Sequence, residues 1–170
     1  MPRAIRAYVR YVDAVNRVVG RLSMYLIFVM LAILFWSSIS KGLKIPSLWT
    51  LEMAQFVMVA YYMLPGGYSM QLKSHVRMDL LYGRWSETTR ARVDSITDLF
   101  LIFYLFVLLY GAVSSTAYAL KYAERSYSSW APYMAPIKII MIIGIVLMIL
   151  QAIAYFFRDF ARGWRGEELS

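Results

Sequence analysis

Four stretches of about 20 residues run with almost no charge, and this feature limits the fold more than any other. They cover about 22–40, 51–72, 99–120 and 139–157, the last reading IIMIIGIVLMILQAIAYFF. About 20 apolar residues are what a helix needs to cross the hydrocarbon core of a bilayer. Helices of a soluble bundle keep a polar face, whereas these segments are apolar all round. The predicted fold is therefore an all-α membrane protein with four transmembrane helices packed as one domain over 22–157. Hydrophobic residues make up 61% of the chain, above the roughly one-half usual in soluble domains.

Charge then sets the orientation. The net charge is +8, and its sources flank the apolar runs. That placement suits topology and anionic lipids better than nucleic acid, so no nucleic-acid partner is expected. Of the 18 Lys and Arg residues, 13 lie in the N-terminal segment, the 73–92 loop and the C-terminal segment, and five lie in the other two loops. The positive-inside rule puts both termini and the 73–92 loop in the cytoplasm. The first 21 residues are too long and too charged for a cleavable signal. Ile5, Tyr8, Val9, Val12, Val15 and Val19 recur at helical spacing, with Arg6, Arg10, Arg17 and Arg21 on another face. This predicts an amphipathic helix over 1–21 lying in the inner-leaflet interface; the alternative is a cytoplasmic extension of the first span. Met78, Leu80, Leu81, Tyr82 and Trp85 among charges predict a cytoplasmic interfacial arm between spans 2 and 3. Ser86 is placed to cap the helix that follows. Residues 158–170 are read as a cytoplasmic tail.

Candidates for chemistry are few. The chain has no cysteine and one histidine, His75. It cannot supply both ligands of a bis-histidine haem, and neither a metal site nor another cofactor is expected. Glu52, three residues after Trp49, opens the second span. It could carry a proton, bind a cation or pair with a basic residue on another helix, but a carboxylate in a first helical turn also suits the helix dipole. Pro65, Gly66 and Gly67 near the other end of that span predict a kink with close helix packing. In the segment His75-Val76-Arg77-Met78-Asp79, His75 and Asp79 are neighbours on a helix. They are read as a hydrogen-bonded clasp, since no nucleophile or further ligand accompanies them. The outer loop holds Tyr122, Tyr127, Trp130, Pro132, Tyr133 and Pro136. Its aromatics suit an interface belt or a docking surface, and Lys121, Arg125, Trp130 and Lys138 are the docking candidates. No catalytic or substrate-binding residue is expected in this chain.

These residues carry a resemblance. The chain resembles the small membrane (Q-type) subunit of TRAP transporters, the tripartite ATP-independent periplasmic transporters. Trp49 and Glu52 open the second span, and His75 and Asp79 form a His-x-x-x-Asp segment after it. Trp130, Pro132 and Pro136 lie in a proline-containing outer loop. Leu147, Met148, Leu150 and Gln151 match a Leu-Met-x-x-Leu-Gln stretch in the fourth span. The long basic N-terminal helix and Lys138 depart from the pattern. The resemblance implies a scaffold for a large (M-type) elevator permease that carries the sodium and substrate sites. A periplasmic substrate-binding protein would deliver a small organic anion, a carboxylate or a sulfonate. Two other readings stay open: a small proton-coupled multidrug exporter, whose glutamate would lie in the first span, and the membrane anchor of a respiratory enzyme.

Overall fold

The computed structural model describes residues 3–45, 47–72 and 86–165. Among these, regular structure is entirely helical. Helices α1 (Arg3–Met24) and α2 (Leu26–Gly42) join through Tyr25, which keeps helical angles (φ −71°, ψ −17°). Together, Arg3–Gly42 is one helix of 40 residues. The expected boundary at 21 is thus not a break: no proline removes a donor there, and Gly20 is held in the helix by its packing on Tyr68.

The second apolar segment forms two pieces, α3 (Thr50–Met63) and α4 (Gly66–Gln71). Pro65 lies between them. Lacking an N–H, it cannot bond the carbonyl of Tyr61, and its ring crowds that turn. The ladder resumes with Ser69 N–H donating to Pro65 O at 2.8 Å. The helix is therefore interrupted at Pro65, the residue from which a kink is expected. The interruption also leaves three unbroken helices among the described residues long and apolar enough to cross a membrane: Arg3–Gly42, Thr89–Lys121 and Ala135–Trp164.

Helix α5 (Glu87–Lys121) starts at Ser86, whose extended backbone (φ −65°, ψ 154°) lets Oγ accept from Thr89 N–H at 3.3 Å. The predicted cap is in place. Helix α6 (Ala135–Phe160) holds Pro136 in its first turn. There the missing N–H would have had no helical acceptor anyway, so the helix begins before the expected boundary at 139. One π-helical turn, Ala161–Arg165, continues it. The segment expected as a tail is therefore partly built into the bundle. Ala161 and Gly163 are buried, Arg92 Nε donates to Gly163 O at 3.1 Å, and the Arg92 guanidinium lies 5.0 Å over the Trp164 ring. Arg90 and Arg92 belong to α5, as expected of the helix that Ser86 caps.

Helix α6 is the hub. Of its most apolar window 39% is buried, against 11% for Arg3–Gly42 and 6% for Thr89–Lys121. Leu105 of α5 packs antiparallel against Ile145, Ile149 and Ala152 of α6. Helices α3 and α4 run alongside α6 in the same direction: Met63 faces Gly144, Gly66 faces Met148, and Tyr155 Oη donates to Met70 O at 2.8 Å. Helix α1 runs the other way. Tyr68 packs on Gly20 and Asn16 packs on Gly67. Small residues at these crossings let the backbones approach closely.

A Cβ at Gly144 would lie 2.7 Å from the Met63 carbonyl oxygen, which is backbone and cannot swing away. We expect Gly144→Val to lower stability by about 1–3 kcal/mol. Gly111→Ala, at a position with open space around it, should be neutral or stabilising by up to about 1 kcal/mol. Thermal unfolding of the two variants in detergent checks this contrast.

Candidate functional site

Polar side chains gather at both ends of the bundle. At the end that carries α1, the carboxamide of Gln151 sits in α6 with no exposed surface. Its Oε1 accepts from Asn16 Nδ2 at 2.8 Å and from Gln71 Nε2 at 3.0 Å. Its Nε2 donates to Asp13 Oδ1 at 2.9 Å. Asp13 also pairs with the Arg158 guanidinium, and its backbone carbonyl accepts a second bond from Gln71 Nε2 at 3.0 Å. Tyr8 Oη reaches Leu150 O at 3.1 Å, and its ring meets Phe157 edge-on. One glutamine thus gathers α1, α4 and α6. A Cβ at residue 67 would strike the Asn16 carboxamide, so Gly67 is required for that side chain to enter.

The other end is built on hydroxyls and one compact loop. Ser37, Ser40, Ser47 and Thr50 form a chain of hydroxyl bonds of 2.8–3.2 Å that closes the α2–α3 turn. Between α5 and α6 the chain folds into a small hairpin. Ser126 N–H donates to Pro132 O and Met134 N–H to Glu124 O, both at 3.0 Å. Ala123 (φ 47°) and Ala131 (φ 44°) take left-handed backbone to turn it. Two contacts pin the hairpin. Ser126 Oγ donates to Glu52 Oε1 at 3.2 Å, and Lys138 Nζ pairs with Glu124. The other Glu52 oxygen is buried without a hydrogen-bond partner among the described residues. Arg125 lies 4.2 Å over the Tyr133 ring, while Tyr127 at the tip is fully exposed.

These positions divide the residues singled out from sequence. Glu52 meets the outer loop, with Trp49 at the helix start beside it. Pro65, Gly66 and Gly67 form the α3–α4 break against α1 and α6. His75, Arg77 and Asp79 lie outside the described residues. The docking candidates separate: Lys138 is spent on Glu124, whereas Lys121, Arg125 and Trp130 are exposed. The α1-end cluster was not foreseen. Its signal was present, since Asn16 interrupts the apolar stripe Val9–Val12–Gly20 and Gln151 interrupts an apolar run. What was missing was the partner, which lies more than 130 residues away in sequence. Among the described residues no three His, Cys, Asp or Glu side chains converge as a metal site would require.

The family described as tripartite ATP-independent periplasmic transporters, DctQ component, matches residues 30–162. No curated protein and no solved structure matches the chain.

Breaking the Asp13–Arg158 pair leaves a charge with little exposure, 15% for Asp13 and 27% for Arg158. We expect Asp13→Asn to cost about 1–3 kcal/mol. Adding Arg158→Gln should cost less than the sum of the two single changes, because the pair is already broken. Thermal unfolding of the double-mutant cycle in detergent measures the difference.

Proposed function

The chain belongs to the DctQ component family of the tripartite transporters, and from this premise we propose that it serves as the scaffold and outer docking platform of a sodium-coupled uptake system. A DctQ component is a transporter part, the small membrane subunit that works with a large membrane subunit and a periplasmic binding protein. In this reading the large elevator-type subunit carries sodium and a small organic anion, a carboxylate or a sulfonate. This chain carries neither. The observation that supports the scaffold role most is the pinned outer hairpin. Glu52 in α3 and Lys138 in α6 tie it to two helices, so Arg125 and Tyr127 are presented on a fixed base. A basic rim of Lys41, Lys44, Lys121 and Arg125 steers an acidic partner and raises its rate of arrival.

The same reading places the protein in the inner membrane with four crossings. The α3–α4 segment counts as one crossing despite Pro65, since transmembrane helices tolerate proline when neighbours satisfy the freed groups. Both termini are cytoplasmic by the distribution of basic residues. The exposed apolar side chains of α2 and α5, such as Phe28, Trp36, Phe103 and Tyr110, are then met by lipid or by the large subunit. No observation favours the exporter or the respiratory-anchor reading.

Two measurements test this. Single cysteines at Ala4 and Ser129 should label from opposite sides of the membrane; labelling of Ala4→Cys by an impermeant reagent from outside overturns the orientation. Lys121→Glu with Arg125→Glu should slow uptake at limiting binding protein, and excess binding protein should restore it. Raising ionic strength should blunt the difference, because exposed charges are screened beyond about 10 Å at 0.1 M salt. Unchanged uptake at low salt and limiting binding protein removes these two residues from the docking surface.

A further inference from the structure

Helix α1 has three sides rather than two. At about 100° per residue, its five arginines, Arg3, Arg6, Arg10, Arg17 and Arg21, fall within one sector of about 60°, and all five are exposed. On one flank runs the stripe buried against the bundle: Val9, Val12, Asn16, Gly20 and Ser23. On the other flank runs a second apolar stripe, and it is exposed: Ala7, Tyr11, Ala14, Val18, Leu22 and Tyr25. Tyr11 is 72% exposed and Leu22 64%. The arginine sector and this stripe adjoin at a shallow, open pocket lined by Arg3, Arg6, Ala7, Arg10, Tyr11 and Ala14.

We propose that this pocket binds an anionic phospholipid. The phosphodiester headgroup lies among Arg3, Arg6 and Arg10, and one acyl chain runs along Tyr11, Ala14 and Val18. Guanidinium groups match phosphate oxygens with paired hydrogen bonds, and anionic leaflets attract clustered basic side chains. The flanking apolar stripe selects lipid over an acidic protein. An acidic protein surface would engage the arginines and leave Tyr11, Val18 and Leu22 in water, whereas a lipid satisfies both faces with one molecule. The proposal concerns the inner-leaflet face of the subunit and does not depend on the transported solute.

The test uses the intact complex of both membrane subunits in detergent, offered equal amounts of phosphatidylglycerol and phosphatidylcholine with the same acyl chains. Native mass spectrometry reads which lipid stays bound. The preference for phosphatidylglycerol should fall on the order of 100-fold in the triple variant R3Q/R6Q/R10Q. The triple variant R3K/R6K/R10K, which keeps the charge but not the paired hydrogen bonds, should fall between wild type and the glutamine variant, and K41Q/K44Q at the other end should leave the preference unchanged. Inorganic phosphate should not displace the bound lipid. A wild-type preference in the glutamine variant overturns the site, as does an equal loss in K41Q/K44Q. Loss of the large subunit with lipid retained would make this face a protein interface instead. Displacement by inorganic phosphate would show that the apolar stripe takes no part.

Discussion

Gln151 sits where water cannot compensate it. Its carboxamide has no exposed surface and is satisfied by Asn16, Gln71 and Asp13. A buried amide left unpaired costs about 1–3 kcal/mol by mutational measures, so α1 and α4 must arrive at α6 in one register. Dispersion and apolar burial tolerate sliding along a helix, but this set of hydrogen bonds does not. The glycines at 20, 67 and 144 follow from the same requirement. Each stands where a side chain or a backbone carbonyl of a neighbouring helix occupies the space a Cβ would take.

The lock explains why an arginine-rich helix can stay on an apolar bundle. Its apolar face, read from sequence as the face turned to the lipid interface, is occupied by α4 and α6. Its charged acid is neutralised within the bundle by Arg158. The arginines are left on a side where headgroups can meet them, and a second apolar stripe is left beside them. At the opposite end a different chemistry does similar work. Hydroxyls close the α2–α3 turn, and the Glu52 and Lys138 contacts hold the outer hairpin. Both ends are therefore held by specific contacts, which supports the proposed scaffold role.

The bundle is thin for its length. Of the three long helices, the one built on α6 is the most buried, while α2 and α5 present aromatic side chains outward along much of their length. In water this would be an aggregation surface. In a bilayer it costs little, because lipid tails are as apolar as leucine. A subunit built this way would gain packing if the large subunit of the proposed complex covered one of those faces.

Class, charge asymmetry and family were legible without coordinates. Hydrophobic runs of bilayer length and the placement of Arg and Lys act locally, residue by residue, so sequence alone determines them. The cap at Ser86 and the break at Pro65 are local too, since each depends on a donor present or missing within one turn. Tertiary structure decided which polar residues meet. Asn16 and Gln151 each look like a blemish in an apolar pattern, and only their juxtaposition makes them a lock. Lys138 looked like part of a docking rim until Glu124 took its charge. Periodicity marks Val9 and Val12 in one apolar stripe of α1, and only packing shows that this one is buried while a second, with Tyr11, Val18 and Leu22, is open. Long-range pairing in an apolar solvent has no local code. It is chosen by which arrangement leaves the fewest buried donors and acceptors without partners, and that is a property of the whole bundle.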